Sequence, residues 1–309
     1  MIDRCKEDSL MTRLQGSLLL LIASTAIMSA ISSTALGSTP DVAEAPEREH
    51  AKLNTEDASP VDPGHFEFEL AYSFTQAGRQ FDNRWDTTRR RYTREHAFEI
   101  GLTCGIVENL DAGVGIGLVD VYDRDNDHYE DDENHTGPHY GTGISDVAVS
   151  AKWRFYHNER LKLEVAYLPG VTIPAGNRSD GNRIGPSQEF WSFDQRISVS
   201  KDFLKRWTMN ADFGFSLPFG EKRREARGTF DANAAVGYQL LDWIQPEVEV
   251  NYAHDTVRAE PDADVIAVTV GVILPIAEHW RIDAGVQQVV SARNADKSTS
   301  ASIALVTCW

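Results

Sequence analysis

Ionisable side chains recur in this chain at a spacing of two. Glu67 and Glu69 form one such pair, Glu247 and Glu249 another. Lys152 and Arg154, Asp194 and Arg196, and Arg281 and Asp283 repeat the spacing. Lys162 and Glu164 do so too, while Glu99, Asp146, Asp212 and Asp231 stand singly, each beside an apolar residue. On an extended strand, residues two apart share a face. These groups therefore form rows on one side of a sheet. Eleven of the sixteen are acidic and five are basic, a balance of −6. A lumen lined in this way favours cations and weak bases over anions. The same charges could also pair across a narrow interior and fill it.

Other candidate chemistry is weaker. In DRDNDHYEDDENH, residues 123–135, Asp123, Asp125 and Asp127 have the first three spacings of a calcium loop. His128 stands where the turn glycine belongs and Asn134 where the bidentate glutamate belongs. The loop is a weak divalent-metal candidate, and no cofactor is expected. GVGIGL, 113–118, lacks the third glycine of a dinucleotide fingerprint and no helix follows it. SVSK, 198–201, matches a Ser-x-x-Lys nucleophile motif without its companion motifs. His96, beside Glu95, is the one strand-end histidine to consider. These signals do not predict an enzyme.

The elements that must position the charged rows are strands. In HFEFELAYSFTQ, 65–76, Phe66, Phe68, Leu70, Tyr72 and Phe74 alternate with polar or small residues. Similar alternation recurs at 97–104, 111–119, 145–155, 161–167, 192–200, 207–217, 230–240, 245–252, 266–274, 280–287 and 302–309. That makes twelve strands. Short links at 106–110, 157–160, 202–206, 240–244 and 276–279 alternate with longer polar ones at 77–94, 120–143, 169–190, 218–228, 254–264 and 290–298. An even number of strands with short turns on one side and long loops on the other predicts an all-β, up-and-down transmembrane barrel of the outer membrane. Its apolar face would meet lipid and its charges would line the lumen. Gly113, Gly115 and Gly117 face the lumen in this scheme, leaving room for solute or serving tight packing. Trp153, Trp207, Trp243, Trp280, Tyr167 and Tyr252 fall near strand ends, where an aromatic girdle belongs. The terminal Trp309 fits the aromatic ending that barrel-assembly machinery reads.

The chain has 309 residues and a formal charge of −17, which excludes a nucleic-acid partner. Its mean hydropathy of −0.37 excludes a helical membrane protein and is compatible with a barrel, where only alternate wall residues need be apolar. LLLLIASTAIMSAI, 18–31, follows Arg13 and precedes small residues, so 1–37 reads as a signal peptide, with Met11 as an alternative start. Residues 38–63, rich in Ala, Pro and Glu, read as a disordered acidic lead-in. The barrel then occupies 64–309. Removing 1–37 leaves Cys104 and Cys308, and strand order places strand one between them, so both are expected as free thiols.

At GISDVAVSAKWRF, 143–155, and LEVAYLPGVTIPAGNRSDG, 163–181, the chain resembles the MetA-pathway phenol-degradation family. The shared pattern is G-x-S/G-D, a strand ending in a basic-aromatic pair, a short turn, a second strand and a Pro-Gly-rich loop. The usual Thr-Gly of that loop is Ala175-Gly176 here. The resemblance implies an outer-membrane barrel of transporter type and brings no functional residues with it. The expected function is passive passage of small solutes, aromatic or cationic. Its expected partners are outer-membrane lipid, lipopolysaccharide at ArgArgArg 89–91 and EKRREARG 221–228, the assembly machinery and a small-molecule solute. A lipid-acting barrel enzyme and a closed structural or adhesive barrel are the alternatives.

Overall fold

The structure, a computed structural model, describes residues 53–124, 139–179, 183–203, 206–220, 226–257 and 261–309. The proposed signal peptide and residues 38–52 lie outside these. The strands are β1 (Phe66–Phe81), β2 (Thr87–Val107), β3 (Leu110–Asp123), β4 (His139–Ile144), β5 (Val147–Asn158), β6 (Leu163–Ile173) and β7 (Trp191–Phe203). They continue as β8 (Trp207–Phe219), β9 (Ala226–Tyr238), β10 (Gln245–Val257), β11 (Ala263–Ala277), β12 (Trp280–Arg293) and β13 (Ala295–Cys308). Each pairs antiparallel with its neighbour in sequence, save that β4 and β5 both pair β3. They are two halves of one wall position, so the barrel has the expected twelve.

The wall closes where β1 pairs β13, from Glu67 opposite Cys308 to Phe81 opposite Ala295. The Phe66 and Trp309 backbones exchange hydrogen bonds of 2.8 and 3.0 Å. Closure leaves no open sheet edge, the condition for a sheet in hydrocarbon. Alternation then sorts the side chains. Val248 and Val250 are half exposed on the outside, while Glu249 between them is fully buried. Leu70, Ile100, Ile116, Phe213, Val270 and Ile303 continue the apolar exterior. Aromatic pairs mark both rims. Phe66–Trp309, Trp153–Phe155 and Trp207–Tyr238 lie near the short turns, and Trp191–Phe219 and Phe230–Tyr252 near the long loops.

Three expectations change. First, two of the long loops are largely strand. β1 and β2 stay paired to Phe81 and Thr87. β12 turns into β13 at Asn294, whose φ of 52° is the left-handed conformation that asparagine tolerates. Second, the β4–β5 wall breaks at Ser145 and Asp146. The register with β3 slips by one there, a bulge that reverses which alternate residues face outward. Asp146 is turned inward, and its carboxylate accepts from the Gly176 and Gln188 backbones at 3.0 and 2.9 Å, drawing the β6–β7 loop into the barrel. Third, Lys162 is no lumen residue. It occupies the β5–β6 turn with φ 47° and is exposed, because reversing the chain consumes the position before alternation resumes.

Cys104 pairs opposite Phe66 and Cys308 opposite Glu67, on the two flanks of β1. Two strand spacings are about 9.5 Å, beyond the roughly 7 Å limit of a disulfide. Both are free cysteines. Denaturing the purified protein in an alkylating agent without reductant should therefore modify both, as read by mass. A protected Cys104–Cys308 pair would contradict this seam.

Candidate functional site

The inward rows meet a guest that the sequence did not lead one to expect. Residues 53–63, read above as part of a disordered lead-in, lie ordered inside the barrel, with Thr55, Glu56, Asp57, Ala58 and Val61 buried. The segment follows the inner wall from β10 to β3, and five of its backbone N–H groups donate to wall side chains. Leu53 N–H donates to Glu249 and Glu247 at 2.8 and 3.0 Å. Asn54 N–H is shared by both Glu249 oxygens, and its side chain reaches Thr269. Glu56 N–H donates to Asp212 at 2.8 Å, Ala58 N–H to Ser200 at 2.9 Å, and Val61 N–H to Asp111 at 2.9 Å. Ser198 donates back to the Glu56 carbonyl at 2.6 Å. Ser59 donates to Glu164.

The physical reason is a surplus of acceptors. The wall presents more carboxylates than cations, and a buried carboxylate without donors is costly. An extended backbone offers a donor at nearly every residue. Each N–H to carboxylate bond is worth about 1.5–3 kcal/mol. That offsets the roughly 1–2 kcal/mol of ordering one residue's backbone. The wall also makes room for the guest. Gly271 and Gly285 oppose each other on β11 and β12, and a Cβ on either would overlap the Leu53 side chain. A Cβ at Gly105 would overlap the Asp62 carbonyl.

Two cations serve the same arrangement. Lys152 Nζ lies 2.6 Å from Asp57 Oδ1, both buried, and also donates to the Ser59 carbonyl. Arg196 bridges Asp212 and Asp231 across β7, β8 and β9. Arg154 pairs with Glu164 at 2.8 Å, and Arg281 with Asp283 at 2.9 Å. Asp194 accepts from Thr172 at 3.1 Å. Glu67, Glu69 and Glu99 are buried on β1 and β2. Of the sixteen expected lumen residues, all but Lys162 thus face the interior. Glu95, of the same parity as Glu99 on β2, is also buried and inward. His96 itself points the other way, bonded to the Tyr72 hydroxyl at 2.8 Å and packed on Phe74.

Above the segment remains a cavity of about 190 Å³, bounded by β1–β3 and β5–β9. Glu56, Glu95, Glu99, Lys152 and Arg196 reach it, and Gly113 and Gly115 line its β3 side. Burial holds the Glu56 carboxyl well above its usual range, opposed in part by Arg196 and Lys152. At the loop rim, Asp264 accepts from Tyr252 and His254 at 2.9 and 2.8 Å and pairs with Arg293 at 2.6 Å. Of the metal candidates, Asp123 ends β3, while Asp125 and Asp127 lie outside the described residues. Among those described, no three metal-binding side chains gather. Residues 221–225 of the basic loop also lie outside.

Two expectations follow. Replacing Asp57 with Ala strands the buried Lys152, which typically costs about 3–5 kcal/mol. The segment should then become open to Glu-C protease after Glu56 in micelles. Adding Lys152→Met should restore much of the protection. A double variant cleaved as fast as the single would show that the pair does not hold the segment. The second concerns pH. A carboxyl whose docked pKa is raised makes docking take up a proton. Its contribution is complete below the ordinary glutamate range and is lost as pH rises through the raised value. Proteinase K cleavage within 53–63, normalised to the free peptide, should therefore increase from pH 5 to pH 8, and less so in Glu56→Gln.

Residues 73–305 match the model of the family described as "Putative MetA-pathway of phenol degradation". No curated protein matches the sequence. Among solved structures, the COG4313 outer membrane channel from Pseudomonas putida F1 is similar at a TM-score of 0.69 and 12% identity, covering 84% of this chain and 100% of that one. The CymD monoaromatic hydrocarbon channel follows at 0.45 and 10%, over 81% and 89%. The KdgM porin stands at 0.47 and 7%, over 77% and 98%. The fold is that of an outer-membrane β-barrel.

Proposed function

The chain belongs to the MetA-pathway phenol-degradation family, and on that premise we propose that it is a passive outer-membrane channel narrowed by its own residues 53–63. One observation carries the reading. The wall is closed and apolar outside, yet its polar interior still holds a cavity beside the segment. A structural barrel has no need of such space. Small solutes suit it, and the acidic balance of the wall favours cations over anions. Small aromatic solutes suit a member of a phenol-degradation family. Lipid covers the apolar belt, lipopolysaccharide meets the loop rim, and the assembly machinery reads the terminal strand.

An enzyme is the less supported reading. Thr256, His254 and Asp264 stand in nucleophile-base-acid order on the outer rim, with Thr256 at 3.4 Å from His254. That contact is long for proton transfer, and Arg293 already neutralises Asp264. The group reads as a rim ion cluster.

Planar-bilayer recording tests the channel. The chain with its inner segment should pass small currents that prefer potassium to chloride at low salt. Deleting residues 38–60 should raise conductance severalfold. Silence from both proteins, each folded by heat-modifiable gel migration, would refute a channel.

A further inference from the structure

The cavity above the inner segment is bordered by carboxyl oxygens that no protein donor meets. Its two cations are already engaged, Lys152 by Asp57 and Arg196 by Asp212 and Asp231. Three of the glutamates that line it each keep one carboxyl oxygen without a protein donor. Glu95 Oε1, Glu99 Oε2 and Glu56 Oε2 are buried with no hydrogen-bond partner. The residues are only 8%, 5% and 2% exposed. Glu95 and Glu99 share the inward face of β2, four residues apart, while Glu56 comes from the segment below. Three acidic groups from two separate elements, each with one oxygen lacking a donor, thus border one space.

Such groups are poor company for each other and for an apolar solute. They call for a donor that carries positive charge. We propose that the cavity is a binding site for small organic cations, with Glu95 and Glu99 meeting the ammonium and Glu56 closing the floor. The size fits this class. A cavity near 150 Å³ takes up a benzene ring, and this one measures about 190 Å³. That is far larger than a bare metal ion needs, and no three metal ligands gather among the described residues. Leu168, inward and buried, gives the solute body an apolar surface. Gly113 and Gly115 leave its β3 side without side chains. The site deepens the channel reading, on which access for solutes from outside rests.

Calorimetry on the full-length protein in micelles tests it with three probes of one shape: benzylammonium, benzyl alcohol and benzoate. Benzylammonium should bind at one site, and more weakly as salt rises. The alcohol and the benzoate should bind at least tenfold more weakly. Glu95→Gln combined with Glu99→Gln should weaken benzylammonium by roughly tenfold or more. Equal binding of the three probes overturns the proposal, as does an unchanged affinity in a double variant that keeps heat-modifiable migration. Should that variant fail to fold, the three-probe comparison on the unaltered protein still decides. Calorimetry needs no ionic current. A barrel that binds benzylammonium but never conducts refutes the channel and leaves the site standing; one that conducts without binding does the reverse.

Discussion

A backbone group in hydrocarbon has no water to turn to, so every N–H and C=O in the wall must find a partner within the wall. The β1–β13 seam is where that condition is met. Once the ring closes, the two faces of every strand have fixed and opposite surroundings. A residue between two lipid-facing valines, such as Glu249, has only the interior to occupy. The inverted pattern of this protein, apolar outside and charged inside, follows from closure rather than from any preference of individual residues.

Closure then creates its own difficulty. The interior inherits eleven expected carboxylates and few cations, in a space too confined to leave them all to bulk solvent. The chain answers with its own backbone. Leu53, Asn54, Glu56 and Val61 present N–H groups to Glu247, Glu249, Asp212 and Asp111. The carboxylates that looked like a selectivity lining are thus in part a docking surface. Of the remaining acidic lining, Glu95 and Glu99 border the cavity that the segment leaves open.

The bulge at Ser145–Asp146 shows the same economy at one point of the wall. The slip in register sets β4 out of phase with β5, and Asp146 stays on the inward side, as the alternation of 145–155 places it. There it holds Gly176 and Gln188, so a loop that could have stood in solvent is drawn inside. Loop and inner segment occupy the lumen by the same means, backbone N–H groups on inward carboxylates.

Alternation is a local property, and the sequence by itself determined what alternation can determine. The twelve wall positions, the outward Val248 and Val250 and the inward Glu67, Asp212 and Glu249 are legible because a residue's face depends only on its own strand. Where alternation ends is also local, but Lys162 was misplaced because a turn spends residues without changing their types. The seat of residues 53–63 was not legible. STPDVAEAPEREHAKLNTEDASPVDP has no periodicity, and its order comes from acceptors on β3, β6–β8, β10 and β11 and from the Lys152 donor on β5. Those acceptors lie up to 215 positions away in sequence and converge only when the ring closes. A hint was present in the imbalance of eleven acids to five bases, which left donors wanting. Which donors would come, and which glutamates would be left without any, only the tertiary structure decided, because hydrogen bonds across a lumen depend on distance in space and leave no period in the chain.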